Sequence, residues 1–230
     1  MIAMKEKPPH KFFERRLAVT NDQLNDLYSF CLTVEQDLLD GKIDGVSKEF
    51  ASEKDKLGGM TTRLLSYYNI FHYDHPVIKQ LFENVLSMAQ EACSYYGTSF
   101  AESNYYVQGW VNIENADHGN EEDYAKNMIE QNLHDHGSGE GMPELHGYFC
   151  VDAEPSVTHY KIHKVTPFDN ININGRAVIS ETGQLHTRGW WNGGPNNRRR
   201  ITIAYDTRSI DDISRTEDPD YVLKHWIKLS

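Results

Sequence analysis

Hydrophobic residues change their spacing near residue 104 of this chain. Before that point they recur at helical intervals. Leu24, Leu27, Cys31 and Leu38 lie on one face of a helix, with Tyr28 and Leu32 flanking it. Thr20 and Gln23 precede this run with the spacing of a capping box, so the helix is expected to begin there and to end near Asp40-Gly41. A second helix is expected to open at Pro76, since proline suits the first helical position. Val77, Ile78, Leu81, Phe82, Val85, Ala89, Ala92, Cys93 and Tyr96 give it a wide apolar stripe, and Gly97 is placed to end it. Between the two helices, Ser47 to Lys56 is charged and reads as a short exposed helix or a loop.

From about Asn104 the pattern turns to short runs of Val, Ile, Tyr and Phe separated by Gly, Asn, Asp and Pro. The expected strands are Tyr105–Glu114, Gln131–His136, Leu145–Asp152, Val157–His163, Arg176–Thr182 and Arg200–Asp206. Many short strands with turn signals predict an antiparallel sandwich or barrel, with the helices covering one outer sheet face. The chain thus divides into a mostly helical part (1–103), a β core (104–206) and a tail (207–230) that packs back through Tyr221, Leu223, Trp226 and Ile227, all within one domain. The polar segment from Asn115 to Glu130 and the glycine-rich Gly137–Gly141 flank one of these strands and are placed to form a mobile lid or ordinary surface loops.

Composition narrows the functional classes. The formal net charge of -11 disfavours nonspecific nucleic-acid binding, which depends on phosphate neutralisation. No apolar run is long enough to span a bilayer. The three cysteines, Cys31, Cys93 and Cys150, are odd in number and far apart, as in a reduced cytoplasmic protein, and the charged N-terminus lacks the apolar segment of a secretory signal.

The chemistry concentrates in His134-Asp135-His136, His186 and Arg200-Ile201-Thr202. On a strand, positions i and i+2 share a face. His134 and His136 would then bind one ion while Asp135 points away, and His186 would close a triangle with coordination positions left open. The competing reading is a pair of solvated histidines in a polar turn. Arg200, Thr202 and Ala204 share a face of the last strand, and an inward arginine with a hydroxyl two residues on can hold a carboxylate. Arg198 and Arg199 are expected to be solvated, and His146 to be a hydrogen-bonded structural residue or, second to that, to line the cavity. His159, His163, His72 and His75 have no partner at useful spacing.

These residues together resemble the 2-oxoglutarate- and Fe(II)-dependent dioxygenase superfamily, in particular the oxygenases found in phages and bacteria. The resemblance rests on His134-Asp135-His136, on Leu145-His146-Gly147-Tyr148-Phe149-Cys150-Val151, on Arg200-Ile201-Thr202-Ile203-Ala204-Tyr205 and on the upstream Gly109-Trp110-Val111-Asn112-Ile113, and covers roughly residues 105 to 206. It implies a mainly β protein with a helical flank: a double-stranded β-helix (a jelly roll, cupin-like) with N-terminal helices packed on one sheet. It further implies Fe(II) on His134, His136 and His186. 2-Oxoglutarate would be the cosubstrate, its far carboxylate held by Arg200 and Thr202, with Tyr148 or Asn112 as further hydrogen-bonding candidates. The reaction implied is hydroxylation of a substrate the sequence does not name, beneath a roof formed by the Gly137–Gly141 loop and the Trp190-Trp191 turn.

The superfamily's usual carboxylate ligand falls at His136. The ligand set therefore stays open between three histidines and an oxygen ligand from Asp135 or Glu140. His134, His136, Glu140 and Gly147 also match the spacing of the first cupin motif, and Gly183 with His186 part of the second, although Met128 and Glu181 depart from it. A cupin-type metalloenzyme without 2-oxoglutarate, and a non-catalytic β-barrel that binds a carboxylate or sugar, are the two rival readings.

Overall fold

The computed structural model describes residues 9–40, 42, 59–61, 69–100, 104–117, 120–125, 129–136, 144–194, 197–210, 213 and 225–230. Strand β1 (Phe12–Arg16) leads into helix α1 (Asn21–Leu39). Thr20 caps α1 as its sequence demands: its hydroxyl accepts from the Gln23 amide at 3.2 Å, and its own amide donates to Gln23 Oε1 at 2.9 Å. A short strand β2 (Gly59–Thr61) and a 3₁₀ turn at Ile70–His72 precede helix α2 (Pro76–Tyr96). His75 caps α2 through Nδ1, which accepts from the Val77 amide, and Gly97 ends it with φ of 74°, a conformation in which a Cβ is strained.

The strands that follow are β3 (Tyr105–Glu114), β4 (Leu145–Asp152), β5 (Val157–Ile162), β6 (Thr166–Ile171), β7 (Arg176–Glu181), β8 (Leu185–Arg188), β9 (Arg200–Ser209) and β10 (Ile227–Lys228). They form two antiparallel sheets. The larger runs β1-β7-β4-β9-β3-β10, with β2 also on β3; the smaller runs β6-β5-β8. The sheets face each other as a double-stranded β-helix. Their interior is polar at several points: Tyr148 Oη accepts from Asn170 Nδ2 across the gap at 2.9 Å, and Cys150 Sγ reaches Asn172.

Alternation sorts the large sheet into two faces. Val111, Ile113, Phe149, Ile179, Ile203 and Tyr205 point to the helices and are fully buried there. The opposite positions point into the barrel. The register pairs Glu114 with Arg200, Asn112 with Thr202, Trp110 and Tyr148 with Ala204, and His146 with Asp206. Gly147 sits on the helix-facing side where Tyr205 crosses, and a Cβ there would lie 2.2 Å from the Val178 carbonyl oxygen.

The structure corrects several expectations. Residues 131–136 form no strand. A helical turn at Glu130–Asn132 runs into a single bridge between His134 and His186. Strands β1, β6 and β10 had no sequence signal, because β1 is charged outside Phe12 and Phe13 and β6 is largely exposed. Arg198 and Arg199 are not solvated arms. Arg199 grips both carboxylate oxygens of Glu35 on α1, and Arg198 meets Asp152 at 2.5 Å while lying over the Tyr28 ring at 3.9 Å. Both fasten α1 to the start of β9. Within the tail, Ile227 pairs with Val107 and Trp226 is buried. Tyr221, Leu223, the stretch from Ser47 to Lys56 and the Gly137–Gly141 loop with Glu140 lie outside the described residues.

Candidate metal centre

The end of the barrel where β4 begins and β9 finishes collects four imidazoles. The chain just before β4 brings His134 and His136, β4 supplies His146 and β8 supplies His186. Ligand atoms of His134, His136 and His186 all lie within 4.8 Å of one another, and so do those of His136, His146 and Asp206. Ring centroids are 3.7 Å apart for His136 and His146, 4.7 Å for His146 and His186, and 4.6 Å for His134 and His186. Trp110 stacks on His136 at 5.7 Å and closes one side. His134 is exposed; His136, His146 and His186 are buried.

Each ring has an oxygen acceptor at Nδ1. For His134 it is the Asn132 carbonyl at 3.0 Å, and for His186 the Gln184 carbonyl at 3.1 Å. For His136 and His146 it is the same carboxylate, Asp206, at 2.9 and 2.8 Å. A carbonyl accepts only, so Nδ1 of His134 and His186 carries the proton and Nε2 holds the lone pair a cation needs. Burial, together with the nearby His146, His134 and His136 rings, holds His186 well below the usual histidine range, so it is neutral. Burial pushes Asp206 up, but His136 and His146 outweigh it and hold the carboxyl well below the usual carboxylate range.

The sequence-derived ligands His134, His136 and His186 thus converge, although the first two do so from a loop rather than a strand. Asp135 points out and pairs with Lys164 at 3.3 Å, which fits its predicted direction. One neighbour was missed and another ranked low. His146 is hydrogen-bonded, as read, but its partner is Asp206 within the cluster, and Asp206 received no role. Their signal was present: His146 is an inward position of β4, and Asp206 continues the inward series Arg200, Thr202, Ala204.

The other end of the interior is arranged differently. Arg200, on the inward face as expected, reaches an internal acid: Nη1 lies 2.5 Å from Glu114 Oε2, and Nε donates to Ser156 Oγ at 3.3 Å. Glu114 Oε1 in turn lies 3.2 Å from Arg188 Nε, and Arg188 grips Asp117 at 2.6 and 2.7 Å. Thr202 and Tyr148 are buried on the same inward side and Asn112 is half-buried. Trp191, offered as part of a roof, is instead fully buried, its indole N–H donating to the Arg198 carbonyl.

No protein-family profile and no curated protein matches the sequence. Solved structures do match. A prolyl hydroxylase from Trichoplax adhaerens, in complex with a hypoxia inducible factor oxygen degradation domain peptide fragment, aligns over 90% of this chain and 87% of its own, with a TM-score of 0.56 and 9% identity. A Pseudomonas putida prolyl-4-hydroxylase aligns over 87% of this chain and 93% of its own, with a TM-score of 0.52 and 8% identity. A non-heme monooxygenase in complex with nickel, ThoJ, aligns over 87% and 74%, with a TM-score of 0.52 and 12% identity. At such identities the likeness is one of architecture: the chain shares the double-stranded β-helix fold of these hydroxylases and of this non-heme monooxygenase.

Proposed function

We propose that this protein is an Fe(II)- and 2-oxoglutarate-dependent oxygenase that hydroxylates its substrate, with His134, His136 and His186 as the metal ligands. The observation that carries this reading is the convergence of those imidazoles, their Nδ1 atoms turned to oxygen acceptors, inside a fold shared with non-haem oxygenases. The donor set fits a divalent transition metal, since imidazole suits iron, nickel, copper and zinc alike. Iron bound there would supply the activation of dioxygen. The chain itself orients the rings, keeps His186 neutral and lines the approach with Trp110 and Tyr160. Arg200 and Thr202 would hold the far carboxylate of 2-oxoglutarate, with Tyr148 and Asn112 alongside. The buried free cysteines suit a reducing, cytoplasmic setting, and no helix among the described residues is long and apolar enough to cross a membrane.

A second ligand set has its own observation. Asp206 stands within 2.9 Å of both His136 and His146, a spacing that would also serve two histidines and one carboxylate around an ion. It would return to the site the carboxylate that His136 displaces from the motif. Exchanging His134 and His146 separately for Ala separates the two sets: the one whose loss abolishes Co(II) binding is the ligand.

The function is tested by anaerobic titration of the Fe(II)-loaded protein with 2-oxoglutarate. A metal-to-ligand charge-transfer band, followed by succinate release in air, is expected. Metal binding with no such band would favour the cupin-type reading, and absence of any metal binding would leave a ligand-binding barrel.

A further inference from the structure

We infer that Glu114 is a built-in occupant of the cosubstrate's anion site, and that 2-oxoglutarate binds by taking Arg200 from it. This deepens the proposed function and rests on it. The argument begins with charge. Arg188 and Arg200 contribute two positive charges, and Glu114 and Asp117 two negative ones, all four side chains being nearly removed from water. The group is balanced as it stands. An anion arriving at Arg200 adds a negative charge in a medium where an uncompensated charge is costly.

The geometry offers a way to make room. Glu114 divides its two oxygens between two arginines, Oε2 to Arg200 and Oε1 to Arg188. When a ligand carboxylate takes Arg200, Glu114 keeps Arg188 and remains paired. Arg188 tolerates this because Asp117 holds its far edge by two bonds, and Asp117 is fixed in turn by the Trp191 amide at 2.7 Å. The exchange is therefore confined to one guanidinium. The path to it is lined by the smallest inward residue of β9: Ala204 stands between Asp206 at the histidines and Thr202 beside Arg200. On β8 the candidate ligand His186 and Arg188, which also meets Glu114, occupy successive inward positions, and such positions are about 6.7 Å apart, so a short diacid, rather than a monoacid, is the ligand that spans from the metal toward the arginine cluster. Glu114 thus sets both the affinity for the cosubstrate and the requirement for a second carboxylate strong enough to displace it.

The test is 2-oxoglutarate affinity of the anaerobic Fe(II)-loaded protein, read from the charge-transfer band and from thermal melting. Glu114→Gln keeps the shape and removes the competing charge. It should bind 2-oxoglutarate about 10-fold more tightly than the wild type, the scale of one charge-assisted hydrogen bond. 2-Oxoglutarate should also raise its melting temperature more than it raises that of the wild type. Glu114→Asp, which keeps the charge but withdraws it by one methylene, should shift the same way by a smaller factor and serves if the glutamine variant does not fold. Equal or weaker binding in both variants, with the wild type binding normally, overturns the inference and leaves the proposed function standing. Tighter binding by both variants, with the larger gain in Glu114→Gln, supports it most strongly. Iron binding with no 2-oxoglutarate binding in any of the proteins removes the cosubstrate reading, and this inference with it.

Discussion

The two ends of the barrel interior are both polar and buried, yet they are organised in opposite ways. At the arginine end two guanidiniums meet two carboxylates, and the charges cancel within the protein. Such a cluster is complete as a structural element. At the histidine end four imidazoles gather, two of them on one carboxylate, and His186 is kept neutral by burial and by its neighbours. Ring nitrogens held this close contribute little to stability that apolar side chains would not supply better. Ring nitrogens gathered this closely make a candidate cation site. The lesson is that burial of polar residues does not by itself mark a site. The histidine end calls for a partner that the chain does not itself supply, whereas the arginine end brings its own acids, one of which a ligand has to displace.

Breaking the histidine end should therefore show in metal binding. His136 belongs to both candidate ligand sets, so His136→Ala should lower Co(II) or Ni(II) affinity by at least about 1,000-fold, roughly one ligand's share of a typical metal-site free energy. Isothermal titration and the visible bands of Co(II) would measure it. The metal-free variant should lose little stability, since Asp206 keeps His146 as a partner. A large loss of metal-free stability would mean that the histidines serve the fold, and the contrast between the ends would collapse.

Breaking the arginine end should show in stability. Arg200→Ala leaves Glu114 short of a partner in a buried setting. Removing one member of a buried pair costs about 3–5 kcal/mol, and the low end applies because Arg188 still holds Glu114. Urea unfolding of the metal-free protein would read it. Metal affinity should stay within about twofold, since Arg200 and Asp206 are six residues apart on β9, roughly 20 Å along the strand. An equal loss of metal binding would join the two ends into one unit.

Much of this was legible before the fold was known, for local reasons. Thr20 with Gln23, Pro76 and Gly97 are cap signals that act within a few residues, and the helices begin and end where they say. Strands β3, β4 and β9 announced themselves by β-branched and aromatic runs, because both of their faces are buried. The bounds of β1 and β6 were hidden by their exposed, polar outer positions. At the site, His134, His136 and His186 followed from spacing and resemblance. Asp206 did not, because a carboxylate at a strand end looks like any surface acid until pairing places it opposite His146. Glu114 was invisible for the same reason. Its role comes from the register that sets it against Arg200, a contact 86 residues apart in sequence.

Asp206 itself sharpens the contrast further. If it acts by orienting His136 and His146 through their Nδ1 atoms, Asp206→Asn should lower metal affinity by about 10–100-fold and leave the ligand field of bound Co(II) nearly unchanged. If it is a ligand, the fall should match that of His136→Ala and the Co(II) bands should move. Either outcome keeps the histidine end as the cation site and decides between its two ligand sets.

The smallest expected effect concerns Cys150, which lies at the arginine end and reaches Asn172. Burial pushes its thiol up to about 11, with Arg200 and Arg176 pulling the other way. Cys31, buried in the helical layer with no arginine acting on it, is pushed up to about 12. A raised thiol pKa leaves little thiolate at pH 8, so both cysteines should resist a thiol reagent in the folded protein and react in denaturant. Labelling followed by mass spectrometry should find Cys150 slightly ahead of Cys31 as the pH rises toward 9. If the arginines were unbalanced they would draw Cys150 down much further. Rapid labelling of Cys150 at pH 8 would therefore show an excess positive charge, and the balance assigned to Glu114 and Asp117 would be wrong. Slow labelling in the wild type that accelerates modestly in Glu114→Gln is the result expected of a charge cluster that is closed until its acid is removed.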